Sequence, residues 1–410
     1  MKRYRNTFGM FFLLVSSMLS AQQELEGYLQ VAAENNPGLK AKFNDYMASL
    51  ELAPQVKALP DPTIAFGYFI SPVETRVGPQ QFKISASQMF PWFGTLEAKE
   101  NVAIQSAKAK YEIFLEAKSK LLNEVRSTFY NVYLNRRAIE ITRGNLTILN
   151  TFQKLANIKV EAGKVSAIDE YRIEMEMGDL ENQLALLLDK QIVLELMFNN
   201  LLNTPREQQV ITPEVLWTTD LSLNKEQISD SIRANNHQLL VLSMQQEALS
   251  YRKELADKLG KPGFTLGLDY TFVGQGDNNL AGTDAFMFPM IGISIPLYRN
   301  KYRAMVNEVV YLQEARQFEK TDKLNLLETI LENAWKDYQD ADRRLRLYRS
   351  QLELAGQSLN LLETEYVAGN KDFEEMLRME RKVLAYGLEL EKARSGKQAS
   401  ISFINYLMGQ

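Results

Sequence analysis

The sequence of 410 residues contains no cysteine and a single histidine, His237. The absence of cysteine excludes disulfide bonds, thiol nucleophiles, zinc ribbons and iron–sulfur sites. One histidine is too few for a histidine-based metal cluster, and no catalytic triad stands out. We therefore expect no metal, no cofactor and no enzymatic activity. The net charge of −4 gives no electrostatic reason to expect nucleic acid binding.

Long apolar runs are missing beyond the N-terminus. Residues 1–21 combine a basic start, an apolar stretch and a small-residue site at Ser20-Ala21, which is the pattern of a secretory signal peptide, with a retained anchor as the alternative. After residue 21, no run approaches the ~18 consecutive apolar residues of a transmembrane helix. If this protein enters a membrane, it must do so with strands.

Proline is scarce and unevenly placed. The 12 prolines leave two proline-free stretches, 92–204 and 297–410. Because proline disrupts helix interiors, such stretches permit long helices. Their nearly equal lengths suggest an internal duplication.

Matching segments support the duplication. Residues 35–37 match 235–237, and residues 162–164 match 368–370. We predict a first repeat with a β-hairpin, a linker, and a second repeat with its own hairpin, all intertwined in a single domain. The predicted bounds are 22–203 with a hairpin at about 63–90, 204–223, and 224–410 with a hairpin at about 263–296.

Apolar residues in the proline-free stretches recur at alternating spacings of three and four, which is the heptad pattern of coiled coils. We call each such series a seam. The seams comprise Leu331, Ala334, Tyr338, Ala341, Leu345, Tyr348, Leu352, Ala355, Leu359, Leu362 and Tyr366, then Met376, Met379, Val383, Tyr386 and Leu390, and in the first half Ile173, Met177, Leu180, Leu184, Leu187, Leu194, Phe198 and Leu201.

The outgoing helices are predicted over about 95–161 and 301–367. At 1.5 Å per residue each would be about 100 Å long, which no compact domain accommodates. The outgoing seam of the first half is weaker, because Asn135 and Thr142 occupy seam positions.

Between the short and long helices of each half, the apolar period changes to two, which is typical of strands in a barrel wall. Small or polar residues alternate with Ile64, Phe66, Tyr68, Ile70, Phe82, Ile84, Ala86, Phe264, Leu266, Leu268, Tyr270, Phe272, Ile291, Ile293 and Ile295. Turn residues at Pro72, Gly78, Pro79 and 274–284 predict two hairpins.

Four strands are too few to close a barrel. A bilayer requires every backbone group to be paired, and small closed barrels have about eight strands or more. Several copies of the chain must therefore share one barrel, and three copies would give 12 strands.

Short motifs occur in a characteristic order along the chain. They are Asn-Asn-Pro at 35–37, Leu59-Pro60-Asp61-Pro62 before a strand, Phe90-Pro91-Trp92-Phe93-Gly94 and Ile295-Pro296-Leu297-Tyr298 after strands, and glycines 163 and 369 between helices. In this order, and with the duplication, the chain resembles the TolC family of outer membrane efflux channels across essentially the whole mature sequence.

The resemblance implies a mainly α fold with a β membrane part. It implies a homotrimer, with a 12-stranded β-barrel among outer membrane lipids and a periplasmic α-helical barrel. It also implies docking onto a periplasmic adaptor (membrane fusion) protein and an inner-membrane transporter. The expected function is a passive exit duct of a tripartite efflux or export system, gated at its helix tips and energised by the pump.

The resemblance places functional residues at the helix tips. In the family, acids just after the second tip narrow the pore, and Glu375 matches the first of these, whereas Arg378 stands where a second acid is common. Asp169 holds the equivalent place in the first half. The tips that would dock the adaptor comprise Gly163, Lys164, Val165, Ser166, Gly369, Asn370, Lys371 and Asp372.

Two alternatives stay open. Ser166-x-x-Asp169 and Asp372-x-x-Glu375 have the spacing of helix N-caps, so both acids could stabilise helices instead of, or as well as, lining a pore. The whole chain could also be a non-conducting coiled-coil scaffold or adhesin of the cell envelope. The alternating strands argue against a scaffold, which has no use for lipid-facing strands.

Overall fold

The computed structural model describes residues 22–163, 166–276, 282–368 and 373–410. The predicted signal peptide at 1–21 lies outside these ranges. The chain folds into two compact units. Unit 1 consists of Met1–Ala41, Leu115–Asn236 and Asn325–Gln410, and unit 2 of Lys42–Phe114 and His237–Leu324. Each unit takes segments from both halves of the sequence, and the division into two repeats stays a prediction.

The predicted fold class is confirmed: helices dominate, and four strands form one sheet. The helices are α1 (22–35), α2 (Pro37–Leu50), α3 (Leu52–Lys57), α4 (Thr95–Glu161), α5 (Ile168–Leu202), α6 (Lys225–Asn235), α7 (His237–Leu259), α8 (Arg299–Ala368) and α9 (Phe373–Leu407). Helices α4 and α8 contain 67 and 70 residues, close to the predicted outgoing helices. Among the described residues, none of the helices is long and apolar enough to cross a bilayer.

The predicted seams are buried in unit 1. Every seam residue of α8 from Leu331 to Tyr366 is buried or half-buried. Near the end of α8 this seam joins residues of three other helices in one apolar cluster, which we call the tip cluster. Its buried members are Leu149, Phe152, Ala156, Ile173, Leu180, Leu359, Tyr366, Phe373, Met376 and Leu377.

The polar positions of the α4 seam are also buried. Asn135 and Thr142 are 2% and 0% exposed. The Asn135 amide nitrogen donates to the Leu187 carbonyl oxygen at 2.8 Å and to Gln191 Oε1 at 2.9 Å. These bonds connect α4 to the returning helix α5 and compensate for the polar residue Asn135 in the seam. The buried hydroxyl of Thr142 has no hydrogen-bond partner among the described residues.

Unit 2 contains a single antiparallel sheet in the order β1-β2-β3-β4, with strands β1 (Thr63–Thr75), β2 (Gly78–Phe90), β3 (Gly263–Val273) and β4 (Ala285–Ser294). The two hairpins join through β2 and β3, where Phe90 lies opposite Phe264.

The first hairpin turn was predicted too long. Strand β1 continues through Pro72 to Thr75, and only residues 76–77 separate it from β2. Because β1 is an edge strand and its register shifts between Tyr68 and Val73, the missing N–H of Pro72 breaks no required ladder bond.

Candidate functional site

The sheet has an apolar face and a face of small or polar side chains. Residues that pair across strands have side chains on the same side of a sheet. Phe66 lies opposite Ile84, which in turn lies opposite Tyr270, and Leu266 lies opposite Ile291. The predicted alternation is therefore confirmed for these residues, which share one face. Three methionines are exceptions, because Met89, Met287 and Met290 lie opposite Thr265, Asp269 and Gly267 of the other face.

The apolar face is the exposed one. Ile64 and Ile70 of β1 are 76% and 94% exposed, and Ile291 of β4 is 69% exposed. On the inner strand β3, Gly267, Asp269, Thr271 and Val273 are buried, whereas the residues that alternate with them, Leu266, Leu268, Tyr270 and Phe272, are half-buried or exposed. A sheet in water has the opposite arrangement, so this burial pattern favours lipid as the environment of the apolar face.

Both edges of the sheet are open. Among the described residues, β1 pairs only with β2, and β4 pairs only with β3. In hydrocarbon, an unpaired edge would leave a row of backbone groups without hydrogen bonds, which costs several kcal/mol per group. The sheet is therefore complete in a membrane only when further strands join both edges.

Exposed apolar and aromatic residues follow the ends of β2 and β4. Phe93, Leu297 and Tyr298 are all strongly exposed. The Trp92 ring stacks on Phe264, with 6.0 Å between ring centroids. Aromatic residues concentrate at the boundary between lipid and water, so the composition of this segment fits such a boundary.

The tip between α4 and α5 turns at Gly163. This residue has φ +67°, a left-handed conformation that ends helices and that glycine adopts without strain. Ser166 follows, and its hydroxyl accepts from the Ile168 N–H at 3.3 Å. The predicted tip residues Lys164, Val165, Gly369, Asn370, Lys371 and Asp372 lie outside the described residues.

The capping prediction for Ser166 is wrong in detail. The N-cap position of α5 is held by Ala167, which makes no side-chain cap bond, and Asp169 is the second residue of the helix. Ser166 lies one residue before the N-cap position, and its hydroxyl accepts from the N–H of Ile168, the first residue of α5. Asp169 still lies in the first turn, where a negative charge stabilises a helix.

Arginines lie close to both predicted pore acids. Asp169 is buried, and its carboxylate lies 3.6 Å from the Arg172 guanidinium, which also reaches Glu374 at 3.7 Å. The Glu375 side chain is 41% exposed and lies 3.9 Å from Arg378. Glu375 is therefore the more accessible of the two acids, and each has a nearby counter-charge.

Another acid near the tip, Glu380, is not among the functional residues predicted from the sequence. Glu380 of α9 is completely buried and accepts a hydrogen bond from the Asn145 amide nitrogen of α4. Burial raises the pKa of Glu380 to about 7, the Asn145 hydrogen bond acts in the opposite direction, and nearby Glu176 adds to the increase. Arg381 lowers this pKa only weakly, and its Nε contacts Glu176 at 2.8 Å.

When Glu380 is ionised, no proton is present for a second hydrogen bond between Glu380 and Asn145. Asn145 Oδ1 and Glu380 Oε2 are buried and have no hydrogen-bond partner among the described residues. A protonated carboxyl group could donate from Oε2 to Oδ1 and complete a two-bond ring with the amide. Burial, together with these two unpaired oxygens, therefore favours the neutral acid.

Another acid of α9, Glu391, has a different environment. Its carboxylate accepts from the Tyr133 hydroxyl at 2.5 Å and from Arg394 at 3.0 Å. Burial, followed by the bond to Glu391, raises the pKa of Tyr133 to about 12, so this phenol stays a donor. The carboxylate of Glu391 therefore has a donor and a cation as partners, unlike that of Glu380.

The segment between α5 and α6 is tied to α8 and α9 by a buried lysine. Lys397 Nζ lies 2.5 Å from Asp220 Oδ1 and 2.8 Å from Asp342 Oδ1. Burial opposes the charge on Lys397, but these two carboxylates still hold its pKa above the usual value. No local sequence pattern predicts this cluster, because its members are far apart in the chain.

The described residues offer no obvious site for a metal ion. No group of three or more histidine, aspartate or glutamate residues within the described ranges could hold one. His237, the first residue of α7, lies with its Nδ1 2.9 Å from Glu112 Oε2.

Comparison with known families supports the resemblance seen in the sequence. Residues 28–192 match the family described as outer membrane efflux protein. No curated protein matches the chain in sequence.

Solved outer membrane proteins share the fold over nearly the whole chain. The outer membrane protein VceC from Vibrio cholerae is 14% identical, with a TM-score of 0.78 over 96% of this chain and 98% of VceC. The open state of the MtrE outer membrane channel from Neisseria gonorrhoeae is 14% identical, with a TM-score of 0.76 over 94% of this chain and 89% of MtrE. The CmeC outer membrane channel from Campylobacter jejuni is 12% identical, with a TM-score of 0.76 over 94% and 85%. At these identities the likeness concerns the fold.

Proposed function

We propose that this chain, which resembles the outer membrane efflux protein family over residues 28–192 and outer membrane channels in its fold, is the outer membrane channel of a tripartite efflux or export system. Three copies would form a homotrimer whose barrel lies in the outer membrane and whose helices extend into the periplasm. An inner-membrane pump would supply the energy through a periplasmic adaptor. The channel itself would carry out no chemistry.

The observation that carries this proposal is the burial pattern of the sheet, which is the opposite of that of a sheet in water. Its apolar face is exposed and its edges are open, which suits lipid contact and pairing with neighbouring strands. Three copies of a four-stranded sheet supply 12 strands, enough for a closed barrel with a water-filled interior. The small and polar face would then line the bore.

The helix tips are the proposed gate and docking surface. Glu375 and Asp169 would contribute six carboxylates around the inner opening, and clustered carboxylates attract cations and repel anions. The exposure of Glu375 supports a role in the bore, whereas Asp169 is buried beside Arg172 and also stabilises the start of α5. Gly163 and Gly369 would shape the turns that contact the adaptor.

Planar-bilayer recording of the purified mature protein tests the channel directly. We expect a trimer in mild detergent and stepwise currents in the bilayer. A monomer that leaves bilayers non-conducting would contradict the proposal. A membrane-free coiled-coil rod would support the scaffold alternative instead.

The tip acids are tested in the same recordings. Glu375→Gln should weaken the block of single-channel current by divalent cations, because a ring of charge is lost. Glu353→Gln, at an exposed position of α8, is the matched control and should leave the block unchanged. Equal block in all three proteins at neutral pH would reject the pore role of Glu375.

Docking at the tips requires an efflux assay in cells. A bulky substitution at Gly369 should abolish efflux while the trimer still assembles in the outer membrane. If the trimer also fails to assemble, Gly369 has a structural role and the adaptor contact lies elsewhere.

A further inference from the structure

Charge is nearly absent from the sheet. The four strands contain only three charged residues, Glu74, Lys83 and Asp269. Glu74 is the penultimate residue of β1, next to the hairpin turn. Lys83 and Asp269 instead lie in the middle of the neighbouring inner strands β2 and β3.

Both central charges lie on the small and polar face. Lys83 is opposite Thr271, and Asp269 is opposite Ser85, so the two charged side chains lie on the same side of the sheet. Lys83 Nζ contacts Asp269 Oδ2 at 2.5 Å. The Asp269 side chain is 7% exposed and that of Lys83 is 40% exposed, so the lysine reaches further from the sheet.

We infer that Lys83 and Asp269 keep the bore within the membrane unselective for charge, by compensating each other in an otherwise uncharged wall. This inference rests on the proposed channel function. In a trimer, three such pairs would lie at the same height in the barrel. Because each pair has no net charge, the barrel itself admits anionic and cationic solutes alike, and discrimination by charge is left to the helix tips.

The inference predicts opposite effects from removing either partner. Without Asp269, three lysines would face the bore and favour anions. Without Lys83, three aspartates would favour cations. Rings of uncompensated charge determine the selectivity of wide pores, and the effect is strongest at low salt because screening is weaker there.

Reversal potentials in a potassium chloride gradient test this directly. Relative to the wild-type protein, Asp269→Asn should shift the potassium-to-chloride permeability ratio toward chloride by about threefold or more. Lys83→Gln should shift it toward potassium by a similar factor, and the double variant should return to the wild-type ratio. Thr271→Val, on the same face, is the uncharged control.

Thiol labelling provides a second test that does not depend on how well these variants assemble. The chain has no cysteine, so a single introduced thiol is the only reactive one. Lys83→Cys should conduct before labelling, and a negatively charged, membrane-impermeant methanethiosulfonate should then shift selectivity toward potassium. The neighbouring Ile84→Cys, on the apolar face, should not react.

The outcomes separate this inference from the channel proposal. If the wild-type protein does not conduct, the channel proposal falls and this inference falls with it. If the protein conducts but the two charge variants leave the reversal potential unchanged, or shift it in the same direction, only the selectivity role is overturned. Labelling at Ile84→Cys but not at Lys83→Cys would also overturn it, because the faces would be reversed.

Discussion

The sheet of unit 2 and the helices of unit 1 arrange the same kinds of side chains in opposite ways. On β3, the small and polar residues are buried and large apolar residues such as Leu266 and Phe272 are exposed. On α8, the apolar seam is buried, and charged residues such as Arg343 and Arg346 are exposed.

The difference fits the surroundings that the proposed channel gives to each unit. A helix in water gains free energy by packing its apolar stripe against another helix. A strand in a lipid-facing barrel directs its apolar side chains outward and its polar ones toward an aqueous interior. One chain can thus use one composition for two environments, because the apolar period changes from 3.5 to two.

The largest effect is expected from a cavity in the buried helical core. Phe152→Ala removes a side chain that is 2% exposed in the tip cluster and should destabilise unit 1 by about 3–5 kcal/mol. Ile158→Ala, at a position of the same helix that is 64% exposed, should cost about 0.5 kcal/mol or less. Hydrogen exchange of the α4 amides would show the difference, and similar exchange in both variants would mean that the tip cluster is not the core of unit 1.

The next prediction concerns an exposed residue whose substitution should nevertheless be strongly destabilising. Ile291→Lys changes a strongly exposed residue. It should nevertheless destabilise the membrane-inserted form by about 2–4 kcal/mol, because the proposed channel places the apolar face in lipid. Thr265→Lys, in the neighbouring strand but on the other face, should be tolerated because the proposal places that face in water. The measurement is the yield of heat-modifiable trimer in outer membranes.

Equal yields for the two lysine variants would contradict this contrast. They would show that the exposed apolar residues of β4 face water, as in an ordinary surface hairpin. The inverted burial would then need another explanation, such as contact with a second protein.

Much of this arrangement was predictable, because it depends on local periodicity. The period of two in 64–70 identified the apolar face of β1, and the spacing of three and four from Leu331 to Tyr366 identified the seam of α8. Such patterns state which side chains share a face, whatever the distant parts of the chain do.

Partners that come from distant segments were not predictable. Asn135 was recognised as a polar exception in its seam, but its acceptors, Leu187 and Gln191, depend on how α4 and α5 align. The contact between Lys83 and Asp269 likewise depends on the register between two hairpins.

Glu380 was missed for a related reason. It follows the seam residue Met379 directly, and a single helix pattern assigns such a charged residue to the surface. The tip cluster instead covers both sides of the seam, so Glu380 is buried.

The titration of Glu380 also provides a pH-dependent test of the packing between α4 and α9 in unit 1. Its pKa is raised above the ordinary value of 4.5 to about 7 by burial, so the stabilising neutral form is fully present below about pH 4.5. Stability of the α4–α9 contact should therefore fall as the pH rises through 7, by roughly 2 kcal/mol between pH 5 and pH 8. Hydrogen exchange of α9 amides at both pH values measures this change.

Substitution by glutamine distinguishes this titration from others. Glu380→Gln keeps a neutral donor and acceptor opposite Asn145, so it should remove the pH dependence and stabilise the contact at pH 8. Glu391→Gln should destabilise α9 at both pH values, because Arg394 and Tyr133 lose their carboxylate partner. If Glu380→Gln destabilises α9 equally at pH 5 and pH 8, then Glu380 is ionised in the folded protein.

The smallest change in stability is expected at the turn that follows α4. Gly163 and Gly178 both have open space where a Cβ atom would lie, but only Gly163 has a positive φ, +67°. Gly163→Ala should therefore destabilise the turn by about 1 kcal/mol through backbone strain. Gly178→Ala, inside α5, should stabilise that helix by about the same amount, because alanine loses less backbone entropy on forming a helix.

Because the two substitutions should change stability in opposite directions, they separate the effect of backbone conformation from the effect of contact with neighbours. Since neither site offers a neighbour within 4 Å, packing predicts no effect for either variant. Hydrogen exchange at the start of α5 can resolve differences of this size. Stabilisation by alanine at both positions would mean that the turn at Gly163 is not held in the left-handed conformation, and that α4 can extend beyond Glu161 toward the tip.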